Sequence, residues 1–221
     1  MLGYIFAGLF AIASSWFFAK WRQTARDLAA AGDDFLTGLP LRKKFASMSE
    51  LIFRTVKSRK FNSSDMFRRK EIRSEPAVHD LTVLMFDIDH FKDVNDRWGH
   101  DMGDKVLEGL GVVLRRMSRS SDLDVIGRWG GEEFIAVLST NIEGASLFYL
   151  RVAKAFAEVT QQLLGEDRTL SCGVVELATE SDSLSGLRAN ADEFLYEAKN
   201  TGRNQMIGAR AGEKVSTAKG I

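Results

Sequence analysis

A chain of 221 residues can hold one sizeable core plus appendages, and 30 Lys/Arg against 30 Asp/Glu leave no net charge that would single out nucleic acid as a partner. The single cysteine, Cys172, excludes an intrachain disulfide and a cysteine-built zinc site, so nothing demands an oxidising compartment. Residues 42–73 hold eleven Lys/Arg and three Asp/Glu, a run read as a solvated helix and loop rather than a surface for lipid or nucleic acid.

Leu2–Ala19 comes first in chain order. It is a chargeless run near the lower length limit for a membrane span, with Tyr4, Trp16 and Trp21 near its ends, where interfacial aromatics sit. No positive segment precedes it, and Trp16-Phe17-Phe18 continues past the small residues Ala11-Ile12-Ala13, which speaks against a cleaved signal peptide. Lys20, Arg22 and Arg26 all follow the run, so its C-terminal side is expected in the cytoplasm. The expectation is a single-pass anchor over 1–19 in the inner (cytoplasmic) membrane, a helical linker over 20–33, and a cytoplasmic domain.

Next, DDFLTGLPLRKKF (33–45) reads as an entry loop punctuated by Gly38 and Pro40, leading into a helix that reaches about Lys60. Residues 60–80 show neither period and read as a loop or irregular insertion. LTVLMFDID (81–89) is an apolar, β-rich run ending abruptly in two aspartates, a buried strand with acid at its C-terminal end. From Met102, Val106, Leu107, Leu110, Val113, Leu114 and Met117 recur at helical spacing. Strand, Gly-Gly turn and strand follow over 124–138, then a helix over 143–164, a strand over 168–178 around Cys172, and a helix over 184–200. Residues 210–221 lack a core pattern and are expected to fray. Strands mixed with helices, with one hairpin, indicate an α/β or α+β sheet covered by helices.

Two groups of acids stand out. Asp87 and Asp89 flank Ile88 and are expected to share a face. In GRWGGEEF (127–134), Glu132 and Glu133 crowd one turn, where they repel each other unless a cation binds. With the strand beside the hairpin, Glu132 approaches Asp87. Two carboxylates and a backbone carbonyl then form a hard oxygen site suited to Mg²⁺, which takes further ligands from water and substrate phosphates. The substrate so implied is a nucleoside triphosphate and the reaction a two-metal phosphoryl or nucleotidyl transfer. On spacing alone, capping aspartates and solvated turn glutamates are an equal reading. Period-two alternation sends Glu133 away from Glu132, toward a second metal or merely the hairpin.

Four stretches, GGEEF (130–134), FDIDHFKDVNDRWGHDMGDKVL (86–107), DFLTGLPLRKKF (34–45) and YEAKNTGRN (196–204), together resemble the GGDEF family, the diguanylate cyclases, in the family's order and at family-like separations. The resemblance covers about residues 34–208. It implies a catalytic domain over 34–209, with a nucleotidyl-cyclase or polymerase-palm fold: a central, mainly antiparallel sheet flanked by helices. The implied reaction condenses two GTP into cyclic di-GMP and two pyrophosphates. By motif position, Asp87, the carbonyl of Ile88 and Glu132 hold Mg²⁺, with Mn²⁺ as the substitute. Glu132 also helps deprotonate the 3′-hydroxyl. Asn95, His100 and Asp104 read and hold the nucleotide, while Lys92, Lys199 and Arg203 meet the triphosphate, the last two expected on one helical face. A carboxylate accepts from both guanine N1–H and the exocyclic amine, so Asp104 favours GTP over ATP. Gly130 and Gly131 let the backbone approach the nucleotide without a Cβ.

A two-fold symmetric product is most simply built by two half-sites, so an antiparallel homodimer is expected, with 20–33 controlling the pairing. With almost nothing outside the membrane, the signal is expected through the bilayer, an unidentified sensory partner, or abundance. No nucleic acid partner is expected. The chain departs from the family at Ser121-Asp-Leu-Asp124, where many members carry an inhibitory Arg-x-x-Asp: serine cannot replace the guanidinium, so product inhibition there is expected to be weak or absent. Leu41 stands where asparagine is usual, a lost cap of about 1 kcal/mol at most. The alternative reading is a catalytically silent GTP- or cyclic-di-GMP-binding module acting by protein contact. Retention of Asp87, Glu132, Gly130 and Gly131 favours the enzyme.

Overall fold

Strand β1 (Thr82–Ile88) is buried at every position, as an apolar run without polar alternation must be when both of its faces are covered. The computed structural model, which describes residues 32–61, 80–118, 123–179, 182–210 and 213–219, places it inside a six-stranded sheet. The other strands are β2 (Val125–Gly130), β3 (Glu133–Leu138), β4 (Leu170–Glu176), β5 (Gln205–Arg210) and β6 (Glu213–Lys219), in the order β2-β3-β1-β4-β5-β6. Neighbours are antiparallel except β4 and β5. The expected sheet, mainly antiparallel and flanked by helices, is the one observed.

Side chains alternate across β1. Leu84, Phe86 and Ile88 join one apolar layer with α2 (Phe91–Trp98), α3 (His100–Met117) and α4 (Ile142–Leu164); Val83 and Met85 join the other with α1 (Arg42–Phe61) and α5 (Leu184–Asn200). Helix α5 is the crossover that a parallel β4–β5 pair requires. It lies directly on β4 at Gly173, where a Cβ would fall 1.9 Å from the Ala191 carbonyl oxygen. Ser183 caps its first turn by accepting from the Gly186 amide.

Three elements depart from expectation. Residues 213–219, expected to fray, form β6, registered from Gln205↔Lys219 to Arg210↔Glu213. As an edge strand it needs only one neighbour and no apolar face, so its sequence is silent. Strand β5 and the eight-residue α2 were likewise not anticipated. The expected anchor over 1–19 lies outside the described residues, as do nearly all of the linker and most of 60–80. Among the described residues, no helix is long and apolar enough to cross a membrane.

Candidate active site

Asp87 is the penultimate residue of β1 and is only 5% exposed. Its backbone is in register with Glu133 on β3 and Ser171 on β4. By alternation it belongs to the sheet face that α5 covers, and α5 delivers Lys199 with Nζ 2.6 Å from Asp87 Oδ2. Burial lifts the Asp87 carboxyl to about 6; Glu132 and Glu133 push the same way, while the hydrogen bond and charge of Lys199 pull against them.

The two glutamates reach this place through an irregular hairpin. The β2–β3 register shifts between Arg128 and Gly130, so Gly130 pairs with Glu133 and the turn consists of Gly131 and Glu132. Glu132 therefore stands outside the ladder, and period-two alternation does not separate it from Glu133 as expected. Glu133 sits directly opposite Asp87, and its carboxylate packs close to Gly130. Both acids act on the same buried aspartate.

Arg128 fixes the turn. Its Nε and Nη2 donate to the Gly131 carbonyl at 3.0 and 2.7 Å, and its Nη1 donates to Asp34 Oδ2 at 2.9 Å. The same Asp34 oxygen accepts from the amide and hydroxyl of Thr37 at 2.9 and 2.7 Å. Burial alone would raise the Asp34 carboxyl, but the hydrogen bonds from Thr37 and Arg128 outweigh it and hold the group below its ordinary value. The DFLTG stretch thus braces the hairpin, a role the sequence did not disclose.

Asp89, expected to share a face with Asp87, carries a donor set of its own. It accepts from the hydroxyls of Thr169 and Ser171, both at 2.6 Å, and from the Asn204 amide at 3.0 Å. It ties the start of β4 to the turn after α5. In that turn Arg203 and Asn204 adopt left-handed φ values of 60° and 47°. Because α5 ends at Asn200, Arg203 does not continue the helical face of Lys199 as expected.

Asn95 lies on α2, and His100 and Asp104 lie in the first turns of α3, both open to solvent. The Asn95 Oδ1 is buried without a hydrogen-bond partner among the described residues and rests against Gly103, where a Cβ would come within 1.9 Å of it. Lys92 is exposed on α2, 3.9 Å from Asp96. The structure thus gathers Asp87, Ile88, Glu132, Glu133 and Lys199 at one end of the sheet, with Asn95, His100 and Asp104 grouped around the α2–α3 junction.

Among the described residues, no three His, Cys, Asp or Glu side chains are arranged as a metal site. The donors that fit are fewer: Asp87, Glu132 and the Ile88 carbonyl, all hard oxygens. That is the small protein share that Mg²⁺ takes when water and phosphate complete its shell. The Lys199 ammonium rests on the Asp87 carboxylate, so the place already accepts one positive charge.

Residues 31–205 match the family described as diguanylate cyclase, GGDEF domain. The chain belongs to this family. Among relatives of this GGDEF chain, the uncharacterized protein YhcK of Bacillus subtilis is 29% identical over 177 residues, covering 78% of this chain and 44% of that protein. Diguanylate cyclase VdcA of Vibrio cholerae is 38% identical over 144 residues, covering 59% and 40%. The chain spans less than half the length of either. Among solved structures, the active GGEEF domain of a diguanylate cyclase from Vibrio cholerae is 30% identical with a TM-score of 0.61, covering 76% of this chain and 96% of that one. Diguanylate cyclase SiaD of Pseudomonas aeruginosa, in complex with its activator SiaC, is 29% identical with a TM-score of 0.59, covering 89% and 71%.

Proposed function

We propose that this GGDEF chain is a diguanylate cyclase that condenses two GTP into cyclic di-GMP. The observation that carries the reading is Asp87, buried at the end of β1, with Glu133 in register, Glu132 on the adjoining turn and Lys199 against its carboxylate. Asp87, Glu132 and the Ile88 carbonyl would hold Mg²⁺. When bound, the ion would offset triphosphate charge and acidify the attacking 3′-hydroxyl. Lys199, released from Asp87, turns to the triphosphate together with Lys92 and Arg203. Glu132 accepts the 3′-hydroxyl proton as the oxygen attacks the α-phosphorus of the other GTP, the bond to pyrophosphate breaks, and a second such step closes the ring. Asp104 accepts from guanine N1–H and the exocyclic amine, beside Asn95 and His100. Glu133, opposite Asp87, adds to the negative potential that attracts the cation.

Each chain contributes one half-site, so the active form is an antiparallel homodimer. Residues 1–19 anchor it in the cytoplasmic membrane with the catalytic domain in the cytoplasm. Product inhibition at 121–124 is weak: serine stands where the arginine would be, and Asp124 already accepts from the Ser139 amide and hydroxyl at 2.9 and 3.1 Å. The test is to incubate the full chain with GTP and Mg²⁺ and measure cyclic di-GMP against Glu132→Gln. Equal product from both proteins would end the catalytic reading, and half-maximal inhibition at low product concentration would end the statement on 121–124.

A further inference from the structure

A cavity of about 450 Å³ lies between α1, the β2–β3 hairpin and the start of α5, and none of the candidate active-site residues lines it. Phe45, Phe53, Trp129, Ile135 and Leu184 supply its apolar surface. That volume and lining suit a small organic molecule, whose orientation is set by a few polar groups.

The charged groups on its wall are unequally committed. The Asp182 carboxylate accepts from the amides of Ala178 and Thr179 and from the Thr179 hydroxyl, at 2.9, 2.8 and 2.8 Å. Glu50 accepts from Arg54 at 2.7 Å, and Lys57 donates to the Asp182 carbonyl at 2.7 Å. Arg188 is different. Its guanidinium stacks 4.6 Å from the Trp129 ring centroid and, among the described residues, makes no hydrogen bond or ion pair. Arg42 lies 4.2 Å from the same ring, so two guanidinium groups crowd one indole. Stacking leaves the edge donors of a guanidinium free for a planar anion.

We propose that this cavity binds a small planar aromatic carboxylate, its rings among Phe45, Phe53 and Trp129 and its carboxylate on Arg188. No residue assigned to the nucleotide lines the site, so it is separate from nucleotide chemistry.

The probe is 2-naphthoate, titrated calorimetrically into the full chain, with neutral 2-naphthalenemethanol as its control. Saturable one-to-one binding is expected, weaker by about tenfold for the alcohol and for Arg188→Leu, with partial recovery in Arg188→Lys. Ala46→Trp, at an exposed position on the cavity edge, should abolish binding, and saturating GTP should leave it unchanged. Absence of saturable binding, equal affinity for acid and alcohol, indifference to Ala46→Trp, or displacement by GTP would each overturn the proposal. Should Arg188→Leu fail to fold, the alcohol and Ala46→Trp still decide. None of these measurements needs turnover, so a chain that made no cyclic di-GMP would leave them standing.

Discussion

Lys199 sits 2.6 Å from Asp87, yet this ion pair does not return the Asp87 carboxyl to its ordinary value. Burial and the hairpin acids outweigh the ammonium, so ionised Asp87 strains the fold at neutral pH. Its folded value of about 6 stands above the ordinary 3.8. The stability that protonation contributes is therefore complete below 3.8 and lost as pH rises through about 6. Asp87→Asn in Mg²⁺-free buffer is expected to stabilise the protein by up to about 3 kcal/mol at neutral pH, with no gain near pH 4. Denaturant titrations at the two pH values check this; equal gains at both would contradict it.

The same carboxyl sets a rate profile. Binding a cation needs ionised Asp87, so kcat/KM for GTP at subsaturating Mg²⁺ should fall as pH drops through about 6. Lys199→Met removes the charge that pulls the value down, so the inflection should move to higher pH as the maximum falls. An inflection that ignores both the substitution and the Mg²⁺ concentration would place the titration elsewhere.

Arg128 and Asp34 form a pair whose side chains are 15% and 8% exposed. Removing one partner of a buried pair strands the other, so Arg128→Met should cost about 3 kcal/mol, and Arg128→Lys, which cannot bridge Gly131 and Asp34 together, somewhat less. Because the Asp34 carboxyl is held low, its contribution is present above 3.8 and disappears as pH falls through the lowered value. The destabilisation by Asp34→Asn, followed by urea unfolding, should therefore be full at neutral pH and vanish in acid.

Gly173 is the contact on which α5 rests. An added methyl would meet backbone atoms of Ala191 and Leu195 at 1.9 and 2.4 Å, which no side-chain rotation relieves. Gly173→Ala should cost about 2–3 kcal/mol and, by lifting the helix that carries Lys199, should raise KM for GTP in the protein that remains folded. Unchanged KM with intact stability would mean that the helix tolerates the shift.

Regular burial was legible in the sequence and irregular pairing was not. The run 81–89 announced β1, and α5 ends where the helical pattern of 184–200 ends, because each buries a continuous apolar stripe. Strand β6 is an edge strand with one neighbour, and α2 is too short for a period to establish itself. At the site, the acids of the hairpin and of β1 were visible, as was their approach. The position of Glu133 opposite Asp87 depends on a register shift at Arg128–Gly130, which no local pattern encodes. The bracing of Gly131 by Arg128 and Asp34 joins residues 94 positions apart, beyond the reach of any window.

Asp89 bears on how a mutational scan of this region would be interpreted. It is two residues from Asp87 and 2% exposed, and its carboxylate holds three donors from β4 and from the turn that carries Arg203. In an activity screen, Asp89→Ala would be scored as harshly as loss of a metal-binding carboxylate. The two defects would separate only in a melting curve, where Asp87→Ala keeps or raises the midpoint and Asp89→Ala collapses it.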